Sequence, residues 1–221
     1  MQSVVKQTAT TAADPARRRD RATREQALIL AATKLFASHG YEATTTREIG
    51  ARAGCSEGLI HRYFKSKEGL LLAVMSSHIS QRVFELTEHL PFSASLEGEI
   101  RQLMAWEVDR MWEDRDFLRL TVQRAMLDPK IARFARLEGP TRLAKAIAER
   151  LRHYQNQRVL DDDDIEAASN AISALCFVSG FLRPAVLGYH RKETKRVAVN
   201  VAKIIARGLE DNRARTSSPV T

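Results

Sequence analysis

The chain has 221 residues, of which 44% are hydrophobic and 28% are charged. This balance is typical of a globular protein with one sizeable core or two modest ones, and it excludes a chain that is disordered throughout. The longest purely apolar runs, such as Ala174 to Val178, are far shorter than the roughly 20 residues that span a bilayer. The beginning of the chain has no apolar signal-type block. We therefore expect a cytoplasmic protein with no membrane partner.

The net charge of +8 is unevenly distributed, because Lys and Arg outnumber Asp and Glu twelve to six over residues 1–67 and nearly balance them afterwards. A local basic field attracts polyanions, of which nucleic acid is the commonest. A solvated basic tail would give the same pattern.

Candidate metal and redox residues are few. Cys55 and Cys176 lack the paired spacing of a zinc site or a CxxC motif, so we predict two reduced thiols, with a redox switch as the alternative. The acidic run Asp161 to Asp164 lacks the spacing of a calcium loop and is typical of a helix start. The sequence therefore predicts no metal and no cofactor.

The two ends of the chain are polar and show no apolar periodicity, so we predict a flexible basic arm over residues 1–20 and a disordered tail over residues 212–221. Between them, apolar residues recur at spacings of three and four, and Gly and Pro are few. This pattern predicts an all-α fold with about nine helices.

The first helix is predicted to begin at Thr23, because Thr23 and Gln26 match a capping box, and to end at Gly40. One apolar stripe follows the predicted start: Leu28, Ala31, Ala32, Leu35 and Phe36.

Two short helices are predicted next, over residues 47–53 and 57–64. The hydroxyls of Thr44 to Thr46 can cap the first and Ser56 the second, while Gly54 forms the turn between them. Together with the first helix they make a helix-turn-helix domain over residues 21–68. Ile60 and Phe64 fall on one side of the third helix, suited to burial. Its other side would meet a major groove.

A second, larger helical domain is predicted over residues 69–211. Ser66 caps its first helix, which runs from Lys67 toward Pro91, and Pro129 and Pro140 mark later helix starts. The remaining helices are predicted over residues 95–114, 116–126, 129–138, 140–156, 162–189 and 192–210.

Three stretches, Ala43–Ile49, Ala53–Gly58 and Tyr63–Leu71, resemble the DNA-binding head of the TetR family of regulators, and the resemblance covers about residues 24–72. It implies a three-helix head followed by an effector-binding and dimerisation domain. It also implies a non-enzymatic transcriptional regulator, most commonly a repressor that a small-molecule effector releases from a palindromic operator. The expected partners are double-stranded DNA, a second copy of the chain and an unidentified effector.

Carried over by position, the resemblance implies that Thr45 and Thr46 contact phosphates, that Arg47 reaches a base edge or a phosphate, and that Tyr63 and Lys67 clamp the DNA backbone. The residues expected along the recognition helix are Ser56, Glu57, Gly58, Leu59, His61 and Arg62. His61, Leu59 and Glu57 depart from the usual family pattern and leave the operator sequence open.

The helix over residues 162–189 is apolar on two faces, so one face can pack on its own core and the other on a partner. The predicted dimer interface comprises Ala171, Ala174, Val178, Phe181, Val201 and Ile205. A fully internal helix in a monomer is the alternative. Candidate walls of an effector pocket are Trp106, Arg110, Met111, Phe117, Met126, Phe134, Phe177 and Arg183. Arg183 would meet either an anionic effector or an interface carboxylate.

Two other classes of protein remain open. A sequence-indifferent architectural DNA binder would use the basic arm and the head. An enzyme would need a catalytic signature, and the sequence has no Gly-rich phosphate loop, no HExxH motif and no local nucleophile-and-base pattern. The arginines near the start of the chain would either contact a phosphate or the minor groove or stay solvated: Arg17, Arg18, Arg19, Arg21 and Arg24.

Overall fold

The computed structural model describes residues 15–155 and 160–216. Its contacts divide the chain into two compact units, Met1–Leu71 and Leu72–Thr221. Within the described residues every regular element is helical, which confirms the all-α prediction.

The first unit contains α1 (Pro15–His39), α2 (Thr46–Arg52), α3 (Glu57–Phe64) and the start of α4 (Lys67–Phe84). The apolar stripe predicted for α1 forms its core, since no member is more than 6% exposed: Leu28, Ala31, Ala32, Leu35 and Phe36. Ile49 from α2 and Ile60 from α3 are fully buried as well. The predicted three-helix head is therefore confirmed.

The predicted start of α1 is wrong, because the helix begins at Pro15 and Thr23 lies inside it. The Thr23 hydroxyl donates to the carbonyl of Arg19 instead of capping a helix end. Pro suits a first helical turn, and the i,i+4 ion pairs within this segment support the extra turns. Of the predicted arm, residues 1–14 lie outside the described residues and the rest is helical.

The second unit is built around α5, which packs against α9 and α10. Its helices follow α4 in chain order: α5 (Leu96–Glu113), α6 (Arg115–Leu127), α7 (Pro129–Glu138), α8 (Pro140–Arg152), α9 (Asp162–Phe177) and α10 (Arg191–Thr216). The predicted proline starts of α7 and α8 are confirmed, as is the acidic start of α9, where the Asp161 side chain accepts from the Asp163 N–H. Since α10 reaches Thr216, only residues 217–221 of the predicted tail lie outside the described residues.

Two helices of this unit end in π-helical segments, Glu85–His89 after α4 and Val178–Val186 after α9. A π-helical turn holds more residues than an α-turn, so it rotates the following side chains onto a different face. Phe181, predicted to face a partner, is 1% exposed in the single chain. Its assignment to the dimer interface is therefore wrong, because the predicted stripe follows the α-helical period and the π-helical segment interrupts that period.

By length and composition alone, one helical stretch among the described residues, Asp162–Val186, could cross a membrane. Half of its apolar window is buried inside the protein. The core helix of a globular domain has the same character.

Among the described residues of the second unit, two ion pairs are buried. Arg150 donates from Nε to Glu99 Oε1 at 2.7 Å and from Nη1 to the carbonyls of Leu86 and Leu90, so it fastens α8 to the end of the α4 segment. Arg82 of α4 donates to Glu107 of α5, whose side chain is fully buried. Each pair joins α5 to another helix, α8 through Arg150 and α4 through Arg82.

Candidate nucleic-acid interface

The turn between α2 and α3 depends on two glycines. Gly54 has φ of +64°, a left-handed conformation that side chains other than glycine rarely adopt. Gly50 lies so close to the turn that an added Cβ would meet the Cys55 carbonyl oxygen at 2.9 Å. Sequence reasoning missed Gly50, although a glycine inside a helical pattern indicates close backbone approach. These two positions let α3 begin directly against α2.

The start of α2 is fixed by a complete capping box. The Thr45 hydroxyl oxygen accepts from the Glu48 N–H at 3.2 Å, and the Thr45 N–H donates to Glu48 Oε2 at 2.8 Å. These bonds hold the Glu48 carboxylate in its charged form, so its pKa is lowered. Thr44 is buried and donates to the Gly40 carbonyl, so of the three threonines Thr45 is the N-cap. The Arg47 side chain is exposed at this helix start.

The predicted inward and outward faces of α3 are confirmed. Ile60 is fully buried and Phe64 is half-buried, whereas Gly58, His61 and Arg62 are exposed. An α-helix advances 100° per residue, so the exposed positions lie opposite Ile60 or beside it. A major groove of B-form DNA is wide enough to admit a helix that presents such a face.

The starts of α2 and α3 are joined by a hydrogen bond from the Thr46 hydroxyl to Glu57 Oε1. Thr46, expected to contact phosphate, and Glu57, expected on the recognition helix, are therefore partners of each other. His61 Nδ1 lies 3.4 Å from the Lys65 carbonyl oxygen at the end of the same helix. Both contacts orient side chains that are predicted to contact DNA.

The two expected backbone clamps are held by neighbours within the first unit. Lys67 Nζ donates to the Glu42 carbonyl at 3.3 Å and lies 4.3 Å from the centre of the Tyr41 ring. The Tyr63 ring lies 5.2 Å from the Arg21 guanidinium carbon. These contacts favour one orientation of each side chain before any ligand binds, which lowers the entropic cost of binding.

The eleven predicted DNA-contact residues all lie in the first unit, and all are exposed or half-buried: Thr45, Thr46, Arg47, Ser56, Glu57, Gly58, Leu59, His61, Arg62, Tyr63 and Lys67. Ser56 is the N-cap of α3, but its side chain makes no capping bond. Its hydroxyl is therefore not used by the helix.

The predicted effector-pocket residues lie in the second unit. Six of them are half-buried: Trp106, Arg110, Phe117, Phe134, Phe177 and Arg183. Arg110 pairs with Glu85 and Glu113, while Met111 is 5% exposed and accepts from Arg82. Met126 is 82% exposed, so its assignment as a cavity wall within the single chain is wrong.

Arg183 stacks over the ring of Tyr189, with 5.2 Å from its guanidinium carbon to the ring centre. This cation–π contact is one that neither of its two sequence-based interpretations anticipated.

Several predicted dimer-interface residues remain uncovered in the single chain. Ala171 and Ala174 on α9 are exposed, and Val178, Val201 and Ile205 are half-buried. Two further apolar residues of α10 are exposed: Val197 at 40% and Ile204 at 69%.

Both cysteines are free thiols, with Cys55 half-buried and Cys176 buried. Burial raises the pKa of the Cys176 thiol well above its ordinary value. A thiol of this kind is a poor nucleophile at neutral pH, so it does not favour the redox-switch alternative.

The compact three-helix unit with its outward α3 defines a helix-turn-helix DNA-binding protein. A sequence model described as bacterial regulatory proteins of the tetR family matches residues 28–74. An HTH-type transcriptional repressor of Mycobacterium tuberculosis is 32% identical over 146 residues, which are 64% of this chain and 72% of that protein. The chain belongs to the TetR family of bacterial transcriptional regulators.

Other relatives share less of their length or less identity. YvkB of Bacillus subtilis, an HTH-type regulator, is 48% identical over 60 residues, or 26% of this chain and 32% of that protein. AcnR of Corynebacterium diphtheriae, an HTH-type repressor, is 27% identical over 177 residues, or 79% and 87%. The first curated relatives are matched over only 19–36% of their length.

Solved structures share the fold. A TetR-family regulator from Mesorhizobium loti superposes with a TM-score of 0.67 and 24% identity, covering 85% of this chain and 97% of that one. GusR of Salmonella enterica gives a TM-score of 0.64 and 16% identity, covering 83% and 95%. At these identities the likeness extends to the architecture alone.

Proposed function

We propose that this chain is a cytoplasmic homodimeric repressor that binds a palindromic operator and is released from it by a small-molecule effector. The observation that carries the proposal is the exposed face of α3, where Gly58 and Arg62 lie opposite the buried Ile60 and His61 lies beside it. A helix with such a face can read base edges in a major groove.

Dimerisation follows from how little a single helix can read. One short recognition helix contacts a few base pairs, whereas two helices about 34 Å apart reach successive major grooves on one side of the duplex. The exposed Ala171, Ala174 and Ile204 offer an apolar surface that a second copy would cover. A palindromic operator would then match the two-fold symmetry of the pair.

Repression and its relief are proposed from the relatives and from linkage. The matched proteins of Mycobacterium tuberculosis and Corynebacterium diphtheriae are both described as transcriptional repressors. An effector that binds more tightly to a dimer with wrongly spaced heads would shift the population away from the DNA-binding form. Moving that equilibrium from 1:99 to 99:1 needs about 5.5 kcal/mol of differential affinity. Half-buried aromatics of the second unit, such as Trp106 and Phe117, are the proposed effector contacts.

The proposal is tested by measuring the affinity of the full chain for a selected duplex and for a scrambled duplex. Replacing Lys67 with Ala or Tyr63 with Phe should weaken binding to both duplexes by a similar factor, because phosphate contacts carry no sequence information. Replacing Arg47 or His61 with Ala should instead change which sequence is preferred. Unchanged binding by all four variants would overturn the proposal, and a salt-dependent affinity that is equal for every sequence would indicate an architectural DNA binder.

A further inference from the structure

The recognition helix α3 has two flanks, and they face different helices of the head. At 100° per residue, Glu57 and His61 fall on one side of the buried Ile60, and Leu59 and Tyr63 fall toward the other. Glu57 is bonded to Thr46, so the first flank lies against the start of α2. The second flank lies against α1.

Between α1 and this second flank is an open groove of about 490 Å³. Its walls come from both helices: Arg18, Asp20, Arg21 and Arg24 from α1, and Leu59, Arg62 and Tyr63 from α3. The three arginines of α1 are spaced three residues apart, which places them on one face of the helix. Four arginines line the groove with Asp20, and Glu25 pairs with Arg21, so the positive charges outnumber the negative charges by two.

The guanidinium groups of Arg21 and Arg24 are oriented by neighbouring side chains, and these bonds use only some of their N–H donors. Arg24 donates from Nε to Asp20 Oδ1 at 3.0 Å, and Arg21 donates from Nε to Glu25 Oε1 at 2.7 Å while stacking on Tyr63. Each guanidinium has five N–H donors, so these bonds orient the side chains and leave other donors for an anion. Planar guanidinium donors match the geometry of phosphate oxygens.

We infer that this groove binds a backbone phosphate of the operator, on the strand that borders α3 on the side away from α2. A helix lying in a major groove has a sugar–phosphate backbone on each side. The start of α2 is available to one backbone, and the arginine groove is available to the other. The inference rests on the proposed function, because it assumes that α3 enters a major groove.

The test compares Arg18→Ala and Arg24→Ala with Lys34→Ala, which removes an exposed positive charge from the same helix at a position that does not line the groove. Affinity is measured by fluorescence anisotropy at several salt concentrations, for the selected and the scrambled duplex. Each lost phosphate contact should reduce the slope of log affinity against log salt by about 0.9. Both groove variants should show this loss on both duplexes, whereas Lys34→Ala keeps the slope of the unsubstituted chain.

The contacted phosphate is then located with duplexes in which one flanking phosphate at a time is replaced by a neutral methylphosphonate. One such replacement should weaken the unsubstituted chain and have little further effect on the Arg18→Ala, Arg24→Ala double variant. If no position behaves this way, the inference is overturned. The inference is also overturned if inorganic phosphate binds to the groove arginines while no single methylphosphonate position shows this effect. The groove would then be a site for free anions.

Failure of the inference and failure of the proposed function give different results. A chain that discriminates between the selected and scrambled duplexes, but whose groove variants keep the full salt slope, contradicts the groove alone. A chain that binds both duplexes equally contradicts the operator-specific function. The salt slopes of the groove variants still report on the phosphate contact in that case.

Discussion

The Thr46 hydroxyl donates a hydrogen bond to the Glu57 carboxylate, so the first residues of α2 and α3 are joined at the proposed DNA surface. This places a negative charge where phosphates are expected. Replacing Glu57 with Gln should therefore tighten binding to scrambled duplex several-fold, because like charges no longer oppose each other. Fluorescence anisotropy at low salt measures this change. Glu166→Gln, an exposed carboxylate of α9, is the control and should leave affinity unchanged; weaker binding by Glu57→Gln would contradict the assignment of this surface.

The capping box at α2 gives a prediction about stability. Thr45→Ala removes the hydroxyl that accepts from the Glu48 N–H and should lower the free energy of unfolding by about 1 kcal/mol. Ser56→Ala is the matched control, because Ser56 is also an N-cap but makes no side-chain bond. Circular dichroism melts of the two variants measure the difference. Equal losses would contradict the capping assignment.

The same box predicts a pH effect. The pKa of Glu48 is lowered in the folded chain, so its stabilisation is present above the pKa of an unfolded Glu and is lost as the pH falls through the folded value. In the Glu48→Gln variant, the free energy of unfolding should therefore fall less steeply as the pH is lowered than it does in the unsubstituted chain.

The buried pair of Arg82 and Glu107 predicts a different pH response. Burial raises the pKa of Glu107 even though Arg82 lowers it, and Glu107 Oε1 has no hydrogen-bond partner among the described residues. Arg82→Met leaves a buried carboxylate unpaired, which should cost about 3–5 kcal/mol when it is charged. Because the pKa of Glu107 is raised in the folded chain, its contribution to stability is greatest at low pH. That contribution falls as the pH rises from the pKa of an unfolded Glu to the pKa of Glu107 in the folded chain.

Denaturant unfolding of Arg82→Met should accordingly give a larger loss at pH 8 than at pH 5. Both tryptophans, Trp106 and Trp112, lie on α5, so their fluorescence reports on the second unit. The double variant with Glu107→Leu is the control and should recover much of the loss without the pH dependence. A pH-independent loss in Arg82→Met would show that Glu107 is not the group responsible.

The proposed dimer surface predicts a change in mass. Ile204 is 69% exposed in the single chain, so Ile204→Glu should cost little in folding but should oppose burial against a second copy. Analytical ultracentrifugation should find this variant monomeric at micromolar concentration. Met126→Glu alters a still more exposed apolar residue of α6 and should remain dimeric, as should the unsubstituted chain. If both variants and the unsubstituted chain are dimeric, Ile204 does not lie in the dimer interface, and the proposed dimer surface is contradicted.

The sequence predicted those features of the fold that depend on local signals. Two local signals were sufficient to locate three helices. Prolines mark the starts of α7 and α8, and the i,i+4 spacing of Ile60 and Phe64 marks the buried side of α3. The prediction that α1 begins at Thr23 is wrong because a capping-box sequence favours a helix start but does not require one. The helix begins earlier, and the i,i+4 ion pairs of Asp20 with Arg24 and of Arg21 with Glu25 stabilise its added turns.

Features that depend on distant parts of the chain could not be predicted. The π-helical segment that contains Phe181 interrupts the α-helical period, and the spacing of its apolar residues does not show this; Pro184 indicates an irregular helix there but not which face is buried. The Arg82–Glu107 pair joins residues of two helices, and the Thr46–Glu57 bond joins two helix starts. In the same way, the arginine groove exists only because α1 and α3 pack side by side.

Operator recognition by a dimer is tested most directly by selecting bound duplexes from a random-sequence library with the full chain and then measuring the number of chains on each selected duplex. We expect an inverted repeat that two chains occupy, with half-site centres one helical turn or a multiple of it apart, about 34–36 Å per turn. Failure to enrich any sequence, or a single asymmetric site bound by one chain, would contradict it.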